Sequence, residues 1–208
     1  MKLFYSILPI ILFATCSRSS YLSLKNNNQK QVIALVPFGD YNEKILEDLK
    51  FDLRDFYNKQ VIVLKHIDIP EHYFNADVQQ YPGDSLIALL KQFINDTIIE
   101  VAGFIRAPAF TMKKNPASQT RYYDENLLGI GHQPGNTCII SDFTFRTEYQ
   151  NLYSLRLKKV VIHEIGHNLG LSHCPDDKCV MSEKNGSTIN LDNNGGDYCQ
   201  KCKKILYN

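Results

Sequence analysis

Between His163 and Cys174 the chain reads HEIGHNLGLSHC. His163 and His167 stand four apart, so in a helix both imidazoles leave the same face, with Glu164 beside them. Imidazole nitrogens at that spacing suit zinc, and the carboxylate is placed to draw a proton from a water on the ion. Gly170 takes a left-handed conformation without a Cβ penalty, which ends a helix and lets the chain return with His173 as a third ligand. Three protein ligands leave one tetrahedral position open, the mark of a catalytic zinc rather than a structural one. The chemistry expected is metal-assisted hydrolysis with Glu164 as general base. A lone histidine is ordinarily a surface or satisfied core residue. Here His163, Glu164, His167, Gly170 and His173 all fall in register, in a chain with six histidines.

Four cysteines follow. Cys174 comes directly after the third histidine, Cys179 five residues later, and Cys199 and Cys202 form a C-x-x-C pair. Such thiolates suit tetrahedral zinc, and a four-cysteine site is closed, hence structural. Its task would be to hold a loop: Ser182 to Tyr198 contains Asn185, Gly186, Asn193, Asn194, Gly195 and Gly196, which favour turns and build little core. Two disulfides are the alternative if the chain is exported. Asp176 and Asp177 are expected to shape the turn between Cys174 and Cys179.

These residues carry a family resemblance. H-E-x-x-H-x-x-G-x-x-H with a downstream methionine is the metzincin signature, and with Cys174, Cys179, Met181, Cys199 and Cys202 in place the chain resembles the archaemetzincins. The resemblance implies a zinc-dependent peptidase acting on peptide or protein substrates, with two zinc ions per chain. One is a catalytic zinc on His163, His167 and His173, and the other a structural zinc on the four cysteines. Met181 would be the methionine of the turn beneath the first. Some metzincins place a tyrosine two residues after that methionine as an extra ligand; Glu183 occupies the place here, so no switching tyrosine is expected.

The elements that must position these groups can be read from periodicity. Leu155, Ile162, Ile165 and Leu169 fall on one helical stripe, with Lys158 and Lys159 at solvated positions, and the histidines sit near the end of that helix. Upstream, Gln31 to Val36 reads as a buried strand. Asn42 to Tyr57 has Ile45, Leu46, Leu49, Leu53 and Phe56 at helical offsets. Val61 to Ile67 is strand-like, Ser85 to Ile94 carries Leu86, Leu89, Leu90 and Phe93 as a second helix, and Ile98 to Ile105 is a third strand. Leu127 to Gly131 and Thr137 to Ile140, separated by five turn-forming residues, read as a hairpin. The order predicts an α/β fold with a mixed twisted sheet. The resemblance implies a metzincin-like zincin layout with an active-site helix, an irregular C-terminal subdomain, and an edge strand that pairs with extended substrate. The hairpin is the candidate for that edge.

Lys2 precedes an apolar stretch from Leu3 to Ala14, too short to span a bilayer and suited to the h-region of a signal peptide over residues 1–15. Phe13-Ala14-Thr15-Cys16 resembles a bacterial lipobox, which would leave Cys16 lipid-modified on a flexible tether, residues 16–31, ahead of a peptidase domain at 32–208. Ordinary signal-peptidase cleavage is the alternative. The expectation is an exported, membrane-anchored lipoprotein facing the periplasm or cell surface. Removing the leader leaves about 190 residues, the size of one compact domain, expected as a monomer. With 23 basic and 22 acidic residues and no basic block interleaved with aromatics, nucleic acid is not an expected partner.

Other candidates carry less. Cys138 lies on an apolar run and reads as a buried inert thiol, and His66, His72 and His132 have no ligand-spaced partners. Two readings from other classes stand beside the enzyme. One is a non-hydrolytic zinc-binding envelope lipoprotein, disfavoured by an intact Glu164; the other is a disulfide-stapled binding module.

Overall fold

The computed structural model describes residues 31–184 and 186–207. The leader, Cys16 and the tether up to residue 30 lie outside the described residues. Among those described, no helix is long and apolar enough to cross a membrane.

Five strands form the principal sheet: β1 (Val32–Pro37), β2 (Gln60–Val63), β4 (Ile98–Ile105), β7 (Gly129–Gly131) and β8 (Thr137–Ser141), in the order β2-β1-β4-β8-β7. The first four strands of that order run parallel and β7 pairs antiparallel with β8 at the edge, which makes the sheet mixed. β1 is an uninterrupted apolar run, VIALVP, because helices cover both of its faces. Ile33 and Leu35 point to one side, into a core shared with α1 (Glu43–Tyr57) and α3 (Gln150–Asn168). Ala34 and Val36 point to the other, against α2 (Gly83–Leu90).

Local chemistry sets the helix ends. The Asn42 side chain accepts from the Lys44 N–H to cap α1, and Asn58 closes it at φ 50°. Leu46, Leu49 and Leu53 are fully buried or nearly so beneath it, each worth about 1.5–3 kcal/mol of apolar burial. α3 contains the β-branched run Val160-Val161-Ile162, unfavourable in an isolated helix. Burial of all three outweighs propensity.

Two details of α3 depart from the periodicity. Leu155 is 45% exposed, whereas Tyr153, Leu157, Val160 and Val161 are buried, so the stripe runs through these residues. Lys159 is buried: its ammonium donates to the carbonyls of Leu191 (2.9 Å), Asp192 (3.3 Å) and Asn194 (2.8 Å), while Arg156 holds the Asp192 carboxylate. These carbonyls end α4 (Thr188–Asn193), a short helix inside the stretch read as turns. A second short helix, α5 (Gln200–Tyr207), closes the chain. A smaller sheet, β3 (Tyr81–Pro82), β5 (Ala109–Lys114) and β6 (Arg121–Asp124), was not foreseen; its β5–β6 hairpin borders the cleft described below.

Candidate active site

α3 carries His163, Glu164 and His167 and stops in a motif built around Gly170. The Gly170 N–H bonds the His167 carbonyl (2.8 Å) and the Leu171 N–H bonds the Gly166 carbonyl (2.9 Å), with Gly170 at φ 96°. This reversal returns the chain over the last turn and brings His173 to the other two histidines. The Nε2 atoms of His163 and His167 lie 3.0 Å apart, and those of His167 and His173 3.2 Å. For zinc–nitrogen bonds of 2.0–2.1 Å, ligand atoms at tetrahedral corners stand about 3.3 Å apart, so the three nitrogens fit one zinc ion.

The opposite ring atoms settle the tautomers. His163 Nδ1–H donates to the Val180 carbonyl (2.7 Å) and His167 Nδ1–H to the Leu171 carbonyl (2.8 Å). Each Nε2 therefore presents a lone pair. Burial and the adjacent His167 imidazole push His163 down to about 3, and burial also lowers His167 and His173. All three shifts favour the neutral form that a ligand requires.

Glu164 is buried between α3 and the edge strand. A Cβ at Gly129 would stand 2.6 Å from its Cγ and 2.7 Å from Oε1, so only glycine allows β7 to approach. Burial pushes its carboxyl up to about 8, opposed by a hydrogen bond from the Gly131 N–H. The carboxylate and the three histidines line a cleft of about 740 Å³. Gly129–His132 forms one wall, Val160 and Leu191 line it as well, and Lys113 and Asp124 come from the β5–β6 hairpin. The expected edge hairpin is present, and β7 ends the sheet on the cleft side.

The four cysteines gather as well. Cys174 and Cys199 sulfurs lie 3.7 Å apart and those of Cys179 and Cys202 3.8 Å, and all four are mutually within 4.8 Å. A zinc–sulfur length of 2.3 Å sets a tetrahedral edge of about 3.75 Å, whereas a disulfide requires about 2.05 Å. The donors are free thiols, and the spacing is that of a metal cluster. Asp176 shapes the intervening turn, its carboxylate accepting from the Lys178 N–H and its carbonyl from the Cys179 N–H. Met181 is fully buried under α3, where a Cβ on Gly166 would come within 2.4 Å of its sulfur.

The remaining candidates stay apart. Cys138 is buried on β8, His66 faces Glu43 at 3.7 Å, and His72 packs edge-on against Tyr73. His132 sits on the cleft rim, 3.4 Å from Asp84. The carbonyl acceptors Val180 and Leu171, the glycine contact to Glu164 and the Lys159 clamp were not read from the sequence. The glycine at position 129, two residues into a predicted edge strand, was the one available signal for any of them.

A sheet whose edge strand borders a cleft, over a helix that brings three neutral imidazoles and a buried carboxylate together, is the arrangement of a metzincin-class zinc metallopeptidase. Comparison with known proteins agrees. Residues 37–208 match Peptidase family M54. The archaemetzincin of Methanocaldococcus jannaschii is 32% identical over 183 residues, 84% of this chain and 92% of that one. The archaemetzincin of Pyrococcus abyssi is 27% identical, covering 84% and 94%. The chain belongs to peptidase family M54, the archaemetzincins. Its fold is similar to the crystal structure of archaemetzincin from Methanopyrus kandleri, with a TM-score of 0.72 at 23% identity over 87% of this chain and 96% of that one. It is also similar to that from Archaeoglobus fulgidus, with a TM-score of 0.68 at 25% identity over 84% and 99%.

Proposed function

We propose that Glu164 is the general base and acid of peptide-bond hydrolysis, at a catalytic zinc site formed by His163, His167 and His173. The convergence of three Nε2 atoms, two of them presenting lone pairs because the opposite Nδ1 atoms are engaged by backbone carbonyls, carries the reading. When bound, zinc supplies Lewis acidity, lowering the pKa of a water and polarising the scissile carbonyl. Glu164 takes the proton of the attacking water and passes it to the leaving amine, its pKa of about 8 suiting both directions. The Gly131 N–H, beside that carboxylate, favours its charged form. β7, at the sheet edge among the described residues, takes an extended peptide as an added strand and sets its direction through the cleft.

The cysteine cluster belongs to the proposal as a second, structural zinc site, giving two ions per chain. At the N-terminus we propose export, with Cys16 lipid-modified and the peptidase domain tethered at a membrane surface. The deciding experiment is cleavage of a diverse peptide library by the zinc-loaded protein, together with metal analysis. Cleavage with two zincs per chain is expected; two zincs with no cleavage of any peptide would leave a metal-binding protein. Intact-mass measurement from the native host tests Cys16: an unlipidated terminus at or beyond Ser17 overturns the anchor.

A further inference from the structure

Glu100 is a buried ionisable side chain that the mechanism does not use. Glu100 projects from β4, the middle strand of the sheet, and is 3% exposed; Asn168, the last residue of α3, is 1% exposed. The Asn168 amide nitrogen donates to Glu100 Oε1, while Asn168 Oδ1 is buried with no hydrogen-bond partner among the described residues. Tyr57, Cys138 and Tyr198 are the titratable neighbours that feel the charge of Glu100, and none of them is a cation.

We propose that Glu100 is a neutral carboxylic acid that closes a two-hydrogen-bond ring with the Asn168 amide, and that this ring is a positioning element for the catalytic base. An ionised carboxylate has only acceptors and would leave both itself without a counter-ion and Asn168 Oδ1 without a donor. A protonated one supplies the missing donor: its O–H points to Asn168 Oδ1 while its carbonyl receives the amide N–H, and the proton stays on the acid. Burial acts in the same direction, raising the Glu100 pKa well above the usual carboxylate range.

Asn168 stands directly below the edge strand and its turn. Its carbonyl accepts from the Gly135 N–H (3.0 Å), and a Cβ at Gly131 or Gly135 would stand 3.2 or 2.9 Å from its Oδ1. Gly131 in turn lies directly against Glu164, where a Cβ on it would stand 2.7 Å from the Glu164 carbonyl oxygen and 3.3 Å from Oε2. The path therefore runs from the central strand through Glu100 and Asn168 to the edge strand and turn that pack against the base. Glu100 touches no reacting atom and acts only through these neighbours.

This inference rests on Glu164 being the base, so its test has readouts that do not need turnover. In the full-length zinc-loaded protein, Glu100→Gln keeps one donor and one acceptor facing Asn168. It is expected to hold kcat/KM within about threefold of the parent and the thermal midpoint unchanged. Glu100→Leu removes both and is expected to lower kcat about tenfold with KM and zinc content unchanged. The infrared difference between parent and Glu100→Gln at neutral pH should contain the carbonyl stretch of a protonated acid. Carboxylate bands in that difference, or a Gln variant as impaired as the Leu variant, overturn the proposal. If Glu100→Leu does not fold, the Gln variant and the spectrum decide. If the parent cleaves no peptide, the hydrolytic reading fails, while the spectrum and the midpoints still test the ring.

Discussion

The two ligand clusters share the junction His173–Cys174 and are built in opposite ways. The histidines hang on a 19-residue helix and the reversal after it, with His163 and His167 fixed by backbone acceptors and the side toward the cleft left open. The cysteines come from turns and the short helix α5, and three of the four are buried. A reactive ion needs rigid ligands and an accessible face; a structural ion stands in for apolar core where the chain is too polar to make one. The lesson is that, on the proposed reading, one metal would serve both purposes once the scaffold decides how much of the ion is exposed.

The sharpest way to break this contrast is Glu164→Gln, which should cut turnover by about 10²–10⁴-fold while zinc content, measured by mass spectrometry, stays at the parent value. Loss of metal in parallel would make Glu164 a structural support. Next in size, replacing Cys199 and Cys202 together with serine should remove one zinc and cost about 3 kcal/mol or more of stability, seen as a lowered thermal midpoint. An unchanged midpoint would mean that the tail does not depend on its metal. Gly129→Ala drives a methyl into the Glu164 side chain and should lower kcat about a hundredfold with both zincs retained. Smallest is Gly166→Ala, which collides with Met181 and should cost about 1–3 kcal/mol in a denaturation curve. A neutral result there would show that the methionine turn shifts freely beneath the helix.

How much of this was readable in the sequence depends on where the information resides. The seven candidate metal ligands and Glu164 have distinctive side chains at diagnostic spacings, and the structure brings each ligand set together. α1 was visible because its leucines recur at helical offsets and Asn42 is a capping residue. The β5–β6 hairpin was not, because Thr111 to Asp124 is polar and mostly exposed, so nothing alternates for periodicity to detect. Lys159 was assigned to solvent because a lysine is seldom buried; its partners are three backbone carbonyls more than thirty residues away. Val180 and Leu171 act through carbonyl oxygens that every residue possesses, so no residue type marks them.

Three consecutive residues, Cys179, Val180 and Met181, face three different ways: a thiol into the cysteine cluster, a carbonyl to His163, and a thioether under Gly166. With neighbouring Cα atoms only about 3.8 Å apart, none of the three shifts alone. With both sites filled as proposed, the two ions would be linked variables. Whatever free energy the filled tail lends to the seat of the Val180 carbonyl is returned in equal measure when the histidines are filled. Metal loading would then be cooperative, and a chelator titration should release both ions along one steep curve.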